Sequence, residues 1–349
     1  MNTAPSRRRD VTVADVARAA KVSKAQTARA LGNYGAVSEE VRLRVLAAAE
    51  ALEYYPNELA RSMNTGRSHT IGVVMGDIEN PHFSLAMRGI SNVAKARGFD
   101  VILVNTGEDQ AAEIDAVKVL LDKRVDGLIV APASCRETQH LHRIHKSGRP
   151  VILLDRKVHG LETDMIAVDM TEISYQATTE LLSAGHRRIA FISTGRPTES
   201  SQIAERVEGM RRAFDEADVV FCEDLVRFDA GSPTQIMAAV GEILNSPHAA
   251  TAIVASDGLV GLSVVEAIQA KNLHIPADVS FLMYDDSPWA RVTCPPLTVI
   301  AQPVYEMGAA AATALIDRIK GTTPKRTVST FTADLIRRGS VAAPVSRQA

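Results

Sequence analysis

The sequence contains few of the residues that build disulfide frameworks or structural metal sites. It has only three cysteines, Cys135, Cys222 and Cys294, in 349 residues. They are an odd number, lie far apart and form neither a CxxC pair nor a zinc-ligand spacing. A disulfide-stapled chain is therefore excluded, and a reducing cytoplasm is the expected setting.

Long apolar stretches are also lacking. No run approaches the roughly 18 residues that a membrane helix needs, so we expect no membrane partner. Arg7-Arg8-Arg9 resembles a twin-arginine export signal, but charged residues interrupt the following segment at Asp10, Asp15, Arg18 and Lys21. Without an apolar stretch of about 7–15 residues, the N-terminus predicts no export and a cytoplasmic protein.

Motifs typical of enzymes are absent as well. The sequence has no G-x-G-x-x-G after a strand, no G-x-x-x-x-G-K-[ST] and no G-x-S-x-G. His140, His142 and His145 suggest a metal site, but only His142 and His145 share a helical face. No acidic or cysteine ligand completes the set. We therefore expect no cofactor, no metal and no enzymatic activity.

The charge is unevenly distributed along the chain. The composition is that of an ordinary globular protein, with 46% hydrophobic and 23% charged residues, and the length predicts two or three domains of about 100–200 residues. Residues 1–68 carry a net charge of +4, whereas residues 69–349 carry −6. A small basic head on a larger acidic body suggests that the head binds a polyanion, although small basic domains are common.

The head begins with an amphipathic helix. Val13, Val16, Ala17 and Ala20 recur at helical spacing on one face. Thr12 precedes them as a candidate N-cap.

A second helix follows after a very short turn. Its start, Ser23-Lys24-Ala25-Gln26, fits a capping box in which the first and last residues satisfy each other's amides. Only Lys21 and Val22 separate the two helices, so they must cross sharply, as in a DNA-binding helix-turn-helix. A third helix is predicted after Ser38.

The second helix exposes Lys24, Gln26 and Arg29. Glutamine pairs with adenine and arginine with guanine in the major groove, so these side chains are candidates for base recognition. The alternative is three solvated polar residues on a surface helix, and the helix pattern alone leaves both open.

A short helix is predicted between head and body. The segment from Tyr55 to Gly66 begins with Pro56 and the capping residue Asn57 and ends at a glycine. An isolated helix of about two turns is marginal in water. We therefore expect it to become ordered only against a partner.

Val11 to Gly66 resembles the DNA-binding head and hinge of the LacI/GalR transcriptional regulators. The residues that carry the resemblance are Thr12, Asp15-Val16-Ala17, Ala20-Lys21-Val22-Ser23, Gln26-Thr27-Ala28-Arg29, Leu31, Asn33, Val37-Ser38, Arg42, Arg44-Val45, Tyr55-Pro56-Asn57 and Ala60-Arg61-Ser62-Met63. The resemblance implies a set of DNA contacts. They are Thr12, Ser23, Lys24, Ala25, Gln26, Arg29, Asn33, Asn57, Ala60 and Met63.

The head departs from the family pattern at three places. Lys21 replaces the turn glycine, so the turn must accommodate a side chain or change its backbone. Gln26-Thr27-Ala28 replaces Thr-Val-Ser, which changes the usual phosphate contacts and base readout. Met63 replaces the leucine that wedges into the minor groove, and its apolar side chain is compatible with the same role.

From residue 69 onward, short apolar strands alternate with helices, starting with strands over Thr70–Met75 and Asp100–Asn105. This alternation predicts parallel sheets flanked by helices, and it restarts after Met165–Asp169. The predicted fold class is a small all-α helix-turn-helix head plus an α/β core of two similar parallel-sheet lobes. The last segment, residues 297–332, must join sheets formed earlier in the chain.

The family resemblance extends to about residue 340 and implies the fold of periplasmic sugar-binding proteins, with three crossovers between lobes. Its strings in the body are Ile71-Gly72-Val73, Asn80-Pro81-His82-Phe83, Val125-Asp126-Gly127-Leu128-Ile129, Gly185-His186-Arg187-Arg188-Ile189, Tyr284-Asp285-Asp286, Pro295-Pro296-Leu297-Thr298 and Leu335-Ile336-Arg337-Arg338. It implies a DNA-binding head over 1–55, a hinge helix and linker over 56–68, and an effector-binding and dimerisation domain over 69–349. Lobe one would comprise about 69–168 and 301–331, and lobe two about 169–300 and 332–340.

Ligands of open α/β sheets bind beyond the carboxyl ends of the strands, where several polar and aromatic residues fall. Matching the family motifs points to the same set and adds Gln302. The predicted ligand-binding residues are His82, Phe83, Asp155, Arg156, Ser200, Gln202, Arg206, Phe228, Ser256, Asp285 and Gln302. Arg and Asp side chains can hold hydroxyl groups, and an aromatic ring can cover the apolar face of a sugar. Phe83 could instead be a core residue, and Ser256 replaces an asparagine of many family members.

The predicted function is a homodimeric transcription repressor whose affinity for a near-palindromic operator is controlled by a small carbohydrate-like effector. Two alternatives stay open at this point. One is a sugar-binding or transport-associated module, against which the missing signal peptide counts. The other is a cytoplasmic α/β enzyme, for which no catalytic constellation is present. Trp289 either lines the cleft or packs in a core.

Overall fold

A computed structural model of the chain describes residues 11–32, 35–54, 67–228, 230–246, 248–322, 326 and 328–344. The chain divides into two compact units, residues 1–69 and residues 70–349. Each unit is described here by itself.

Among its described residues, the first unit contains three helices, α1 (Val13–Ala20), α2 (Lys24–Gly32) and α3 (Glu39–Ala51). Thr12 is the N-cap of α1, and its N–H and hydroxyl both donate to Asp15, at 3.0 and 2.7 Å. The three helices enclose a small apolar core. Its fully buried members are Val16, Ala20, Ala30, Val45 and Ala49.

The turn between α1 and α2 keeps its tight geometry without a glycine. Lys21 adopts the left-handed conformation, with φ 53° and ψ 45°. Its backbone N–H closes the end of α1 on the carbonyls of Ala17 and Arg18. The lysine therefore takes the conformation that a glycine would adopt at lower cost.

The second unit contains two six-stranded sheets. The strands of the first sheet are β1 (Thr70–Met75), β2 (Asp100–Asn105), β3 (Gly127–Val130), β4 (Val151–Leu154), β5 (Asp164–Val168) and β11 (Val328–Phe331). Their order is β11-β5-β4-β3-β1-β2, and all their pairings are parallel.

The second sheet repeats this order with one difference. Its strands are β6 (Ile189–Ile192), β7 (Val226–Arg227), β8 (Ala252–Ala255), β9 (Ser280–Tyr284), β10 (Thr298–Ala301) and β12 (Asp334–Ile336). They are arranged β12-β10-β9-β8-β6-β7, and β12 runs antiparallel to β10. The predicted fold class is confirmed, but the edge of the second sheet is mixed rather than purely parallel.

Helices cover these sheets. They are α4 (Pro81–Ala96), α5 (Gln110–Asp122), α6 (Gln139–Lys146), α7 (Met170–Ser183), α8 (Ser201–Glu216), α9 (Pro233–Asn245), α10 (Gly258–Ala270) and α11 (Val304–Lys320), with 3₁₀ turns at Glu223–Leu225 and Pro288–Arg291. Within the described ranges, no helix is both long and apolar enough to cross a bilayer.

The chain passes between the sheets three times, through residues 169–188, 302–327 and 332–333. The first passage contains α7, which packs on α8, and the second contains α11, which packs on α4 and the first sheet. We call the first sheet with α4, α5, α6 and α11 lobe one, and the second sheet with α7, α8, α9 and α10 lobe two. Lobe one is thus completed by α11 and β11, which follow lobe two in the chain, and lobe two is completed by β12, which follows β11.

Both of these helix pairs depend on glycine. A Cβ at Gly308 of α11 would overlap the carbonyl of Ala86, and one at Gly89 of α4 would overlap the carbonyl of Tyr305. In lobe two, a Cβ at Gly209 of α8 would overlap the carbonyl of Thr171. The backbones therefore approach more closely than any side chain would permit.

Candidate ligand cleft and DNA-binding helix

A cavity of about 580 Å³ lies between the two lobes, at the carboxyl ends of their parallel strands. Nine of the residues predicted from the sequence line it. They are His82, Phe83, Asp155, Arg156, Ser200, Gln202, Arg206, Ser256 and Asp285. Side chains from both lobes therefore face one common space.

The two remaining predicted residues lie elsewhere. Gln302 does not line the cavity, but its amide donates to the Asp285 carboxylate at 2.9 Å. Phe228 borders a separate surface depression beside α8, with Val207 and Arg211, and packs against the core. Phe228 directly follows β7 and its side chain packs beside α8, whereas Gly231, three residues later, lines the cavity.

Sequence reasoning missed several acidic residues of the cleft. Asp77, Glu108 and Asp257 follow β1, β2 and β8 within three residues and line the cavity, as does Glu199. The rule that ligands bind beyond strand ends applies to them equally. Asp257 adjoins the predicted Ser256 at the end of β8, whereas Glu199 does not directly follow a strand.

Asp155 and Asp285 occupy equivalent positions in the two lobes. Each directly follows the strand at the same place in its sheet, β4 and β9. Each adopts the left-handed conformation, with φ 72° and 71°, and donates its N–H to the neighbouring strand, to Ile166 at 2.7 Å and Ile300 at 2.9 Å. This bend turns both carboxylates toward the cavity.

His82 lies between these two carboxylates. It is held at the start of α4, where the N-cap Asn80 accepts its N–H at 3.0 Å. Its Nδ1 is 3.3 Å from Asp285 Oδ1 and its Nε2 is 3.6 Å from Asp155 Oδ1. Burial lowers the pKa of His82, but the two carboxylates outweigh that effect and raise the pKa to about 10. The imidazole is therefore protonated at neutral pH and links lobe one to lobe two.

The other faces of these groups are also occupied. Gln202 of α8 donates its amide to the carboxylate of Asp155, and to the Asp155 carbonyl at 3.1 Å. Burial works against ionisation of Asp155, but the charge of His82 keeps the pKa of this carboxyl below its usual value. Asp155 is therefore an anion with contacts in both lobes.

Arg156 is paired within lobe one. Its guanidinium forms a two-pronged ion pair with Glu108, one prong at 2.8 Å, and also donates to the Pro132 carbonyl at 3.0 Å. It lies 5.8 Å from the centroid of the Phe83 ring. Phe83 is only 4% exposed, so it combines the core position considered above with one edge on the cavity.

Arg206 is the principal cation of lobe two in the cleft. It is 6% exposed and stacks on the Tyr284 ring at 4.1 Å. It donates to the Ser256 carbonyl at 2.9 Å and to Gln202 Oε1 at 3.2 Å. Its Nε has no hydrogen-bond partner among the described residues. A buried donor without a partner is costly, so an arrangement of the cleft that gives this N–H an acceptor is favoured.

The lobes also touch at one margin of the cavity. The N–H of Cys135 in lobe one donates to the Glu199 carbonyl of lobe two at 2.8 Å. The N–H of Lys157 donates to the Ser201 hydroxyl at 2.8 Å, and its ammonium pairs with Glu205. These contacts cross the cleft and hold the lobes together at this margin.

Two further sequence candidates find structural roles. His140 does have an acidic neighbour, contrary to the sequence interpretation, because its Nε2 lies 2.6 Å from Glu113 Oε1. Glu113 in turn accepts the N–H of Ala133, and the part of the chain that is described contains no cluster suited to a metal. Trp289 packs against the core of lobe two and does not line the cavity.

The helix predicted to recognise DNA is α2. Its capping box forms: Gln26 N–H donates to Ser23 Oγ at 3.2 Å, and Ser23 N–H donates to Gln26 Oε1 at 3.1 Å. Ser23, Lys24, Ala25 and Gln26 are all exposed. Because Gln26 Oε1 is engaged in the cap, a two-point contact with adenine requires that it leave this hydrogen bond.

Burial in the head accounts for one of the departures from the family pattern in α2. Thr27 is fully buried and its hydroxyl donates to the Ser23 carbonyl at 3.0 Å, so it belongs to the core. Arg29 is half-buried and its Nε donates to the Ala25 carbonyl at 3.2 Å. The remaining predicted DNA contacts lie outside the described residues. They are Asn33, Asn57, Ala60 and Met63, together with the predicted hinge helix over 56–68.

Comparisons with known proteins agree with this architecture. Residues 68–338 match the model of periplasmic binding proteins and the sugar-binding domain of the LacI family. Residues 12–57 match the model of bacterial regulatory proteins of the lacI family. The two matches fall on the two compact units.

Individual relatives span nearly the whole chain. The HTH-type transcriptional repressor PurR of Aliivibrio fischeri is 31% identical over 334 residues, which cover 95% of this chain and 98% of that protein. Catabolite control protein A of Priestia megaterium is 30% identical over 307 residues, covering 86% and 90%. Among solved structures, a complex of the transcriptional regulator CelR with cellobiose matches with a TM-score of 0.71 and 27% identity, covering 95% and 99%.

These relatives are transcription regulators, so the enzyme alternative is excluded, and a head that matches a DNA-binding model does not fit a transport module. The chain therefore belongs to the LacI family of bacterial transcription regulators.

Proposed function

We propose that this chain represses transcription by binding a near-palindromic operator as a homodimer, and that a sugar or sugar-like effector in the cleft controls its operator affinity. The proposed division is a DNA-binding head over 1–55, a hinge over 56–68 and an effector-binding and dimerisation domain over 69–349. Within that domain, lobe one takes about 69–168 and 301–331, and lobe two about 169–300 and 332–340.

The observation that carries the effector proposal is the unpartnered Nε–H of Arg206. It is a buried donor on a charged side chain that lines the cavity. A hydroxyl oxygen of a sugar would satisfy it with a charge-assisted hydrogen bond. The cavity volume of about 580 Å³ falls in the range of small-molecule sites.

The rest of the lining suits a polyhydroxylated ligand. Asp155 and Asp285 can accept hydroxyl protons, Ser200 and Ser256 can donate or accept, and the edge of Phe83 can contact the apolar face of a sugar ring. The sugar-binding description of the matching family and the cellobiose complex of CelR support the same ligand class.

Operator recognition is assigned to α2. Its exposed residues Lys24, Ala25 and Gln26 would face the major groove, and the guanidinium of Arg29 can swing out from its own helix. Thr12 and Ser23 lie at helix N-termini, where backbone amides favour phosphate. Asn33, Asn57, Ala60 and Met63 are proposed to extend this contact on the family pattern.

A homodimer is proposed because a near-palindromic operator requires two heads related by a two-fold axis. Lobe one has large apolar side chains exposed on adjoining elements. These are Ile78, Leu85, Leu103 and Ile114. Burial of such side chains between two copies would stabilise the dimer.

Coupling requires the effector to bind one arrangement of the lobes better than another. The contacts of His82 with Asp285 and of Gln202 with Asp155 join the lobes through groups that also face the effector. An effector that competes for these groups changes the relative stability of the arrangements, and the predicted hinge transmits the change to the heads.

The test uses the full-length protein and duplexes selected from a random library. We expect the enriched sequences to be inverted repeats, and a sugar that stabilises the protein in a thermal-shift screen to change operator affinity at least tenfold. No sequence preference at moderate salt, or an operator affinity that no stabilising sugar alters, would refute the proposal.

A matched pair of variants tests the assignment of α2. Arg29→Ala should cost about 1–3 kcal/mol of operator binding and relax discrimination at one base pair. Arg44→Ala, at an exposed site on α3, removes the same charge from the same unit and should leave discrimination intact. Uniform weakening on all sequences by Arg29→Ala would identify a phosphate contact instead.

A further inference from the structure

The cavity is lined by an excess of negative charge. Among the described residues that line it are six carboxylates and three cationic side chains. The carboxylates are Asp77, Glu108, Asp155, Glu199, Asp257 and Asp285, and the cations are His82, Arg156 and Arg206. A ligand interacts most strongly with those charges of the lining that have no ion-pair partner in the protein.

Two of the three cations are already neutralised. His82 is shared by the carboxylates of Asp155 and Asp285, at 3.6 and 3.3 Å. Arg156 is held in its two-pronged pair with Glu108. An anionic ligand would have to break one of these buried pairs, and breaking such a pair leaves an uncompensated charge behind.

The third cation is surrounded by acidic groups. Arg206 forms no ion pair within the described residues, but its charge acts on both Asp155 and Asp257 and favours their ionised forms, although burial leaves the pKa of Asp257 raised. Its exposed face is therefore a hydrogen-bond donor in a negative surrounding. A neutral oxygen can accept from it without bringing a further negative charge near these carboxylates.

Three carboxylates of the lining have no cationic partner within the ranges described, namely Asp77, Glu199 and Asp257. Asp77 Oδ1 accepts the N–H of Glu79 at 2.9 Å. Asp257 is the N-cap of α10 and accepts the N–H groups of Leu259 and Val260, both at 2.9 Å. These backbone N–H donors are uncharged, and the charge of Arg206 acts on Asp257 without forming an ion pair with it.

The carboxylate of Asp257 is not fully solvated by water. Burial raises the pKa of its carboxyl despite the hydrogen bonds from Val260 and Ser256 that oppose the rise. A carboxylate that water does not fully compensate interacts strongly with any charge that enters the cavity, because the local dielectric is low.

We propose that the cleft selects its effector by charge: a polyhydroxylated ligand that bears a protonated amine is favoured, and sugar acids and sugar phosphates are excluded. This rests on the proposed function of the cleft and specifies the class of its ligand. The amine is attracted by the net negative charge of the lining, to which the three unpaired carboxylates contribute, and the hydroxyls can contact Arg206 and the His82 cluster. One like charge about 8–10 Å from an entering anion costs on the order of tenfold in affinity at the effective dielectric of such sites.

The experiment measures binding to the full-length protein by calorimetry at constant ionic strength, in four matched series. Glucose, galactose, mannose and ribose are each compared with their amino, acid and phosphate derivatives. In any series whose neutral parent binds, we expect the amino derivative to bind at least about 100-fold more tightly than the acid or the phosphate. A ratio below tenfold, or an inverted order, overturns the inference.

Variants locate the cause of the selectivity. The triple variant Asp77→Asn, Glu199→Gln, Asp257→Asn should reduce the amine-to-acid ratio at least tenfold, and asparagine preserves the N-cap of α10. The control triple variant Asp100→Asn, Asp115→Asn, Asp122→Asn changes the net charge equally at exposed sites on β2 and α5. It should leave the ratio within a factor of three, and an equal reduction in both triple variants overturns the assignment to the cleft.

Two results of this experiment distinguish charge selectivity from the broader proposal of a carbohydrate effector. Binding that is insensitive to ligand charge refutes the selectivity and leaves a carbohydrate effector intact. The absence of binding in all four series refutes the carbohydrate effector itself, and the charge rule with it.

Discussion

The two lobes share a backbone plan but use their side chains differently in the cleft. Both place a left-handed aspartate at the end of the equivalent strand, Asp155 and Asp285, and both orient a helix so that its first turn meets the cavity. Lobe one fills its side with preformed ion pairs, His82 with the two aspartates and Arg156 with Glu108. Lobe two presents Arg206, which forms no ion pair among the described residues, although the Nε of Arg156 and the Nε of Arg206 both lack a hydrogen-bond partner there.

The fold determines where a ligand can bind, whereas the existing partners of each side chain determine whether that side chain can bind the ligand. A guanidinium that is already paired mainly stabilises its own lobe. One that forms no ion pair is able to bind an acceptor on a ligand. The strand-end rule alone treats Arg156 and Arg206 alike, and only their partners distinguish them.

The comparison predicts its largest effect at the two arginines. Arg206→Ala should weaken binding of the most stabilising sugar by about 3 kcal/mol, because it removes a buried charged donor. Arg156→Ala should weaken it by less than about 1 kcal/mol and mainly lower thermal stability, because it leaves Glu108 unpaired. Calorimetric titration and melting curves of both variants test this, and equal affinity losses would remove the distinction between the lobes.

His82 tests the link between the lobes through pH. Its pKa is raised above the unfolded value, so its contribution to stability is complete below about pH 6.5 and is lost as the pH rises toward about 10. The unfolding free energy of the wild type should fall by up to about 1.4 kcal/mol per pH unit in this window.

The variant His82→Gln should lose this alkaline dependence, as measured by denaturant unfolding between pH 7 and 9. The exposed His145→Gln should retain the wild-type curve. If His82→Gln shows the same pH dependence as the wild type, the imidazole is not the charged bridge between Asp155 and Asp285.

The helix pairs should respond alike in both lobes. Gly308→Ala and Gly209→Ala should each lower the unfolding free energy by about 2 kcal/mol, because the added methyl group overlaps a backbone carbonyl. Gly241→Ala in α9 would meet only the end of the Lys271 side chain at 3.7 Å, so it should stabilise the helix by about 0.5–1 kcal/mol. Denaturation midpoints measure all three, and a gain in stability at Gly308 or Gly209 would contradict the close approach.

The smallest effect concerns a left-handed residue outside the cleft. Lys21→Gly should stabilise the head by about 1 kcal/mol, since glycine adopts φ near +53° without the side-chain penalty. The same replacement at Asp155 relieves the same backbone cost but removes a carboxylate from the cleft and should weaken ligand binding. Amide hydrogen exchange of α1 and α2 measures the first effect, and faster exchange in Lys21→Gly would contradict it.

Much of the fold was predictable from local patterns. The strands Thr70–Met75 and Asp100–Asn105 were predicted to the residue, because β-branched runs between helix signals leave little choice. The capping box at Ser23 and the third helix after Ser38 are also confirmed. β12 was not predicted, because it has three residues, none of them fully buried, and forms through pairing with β10.

The position of the cleft was predictable from the sequence, but the pairing of its charged side chains was not. Strand ends placed six of the nine predicted residues on its wall, and the helix after β6 placed the other three, Ser200, Gln202 and Arg206. However, the partners of those residues come from distant parts of the chain, as with His82 and Asp285, which are 203 residues apart. Phe228 lies elsewhere because its side chain packs beside α8, which its position after a strand does not reveal.

The return of the chain to lobe one through α11 and β11, and then to lobe two through β12, has a consequence for how this unit forms. Neither sheet with its covering helices is made from a continuous stretch of chain, so a polypeptide emerging from the ribosome cannot finish lobe one until almost all of residues 70–331 have been synthesised. Such long-range pairing slows folding, and the two lobes should unfold together as one cooperative body. Cutting the chain between them would release two incomplete fragments instead of two small proteins.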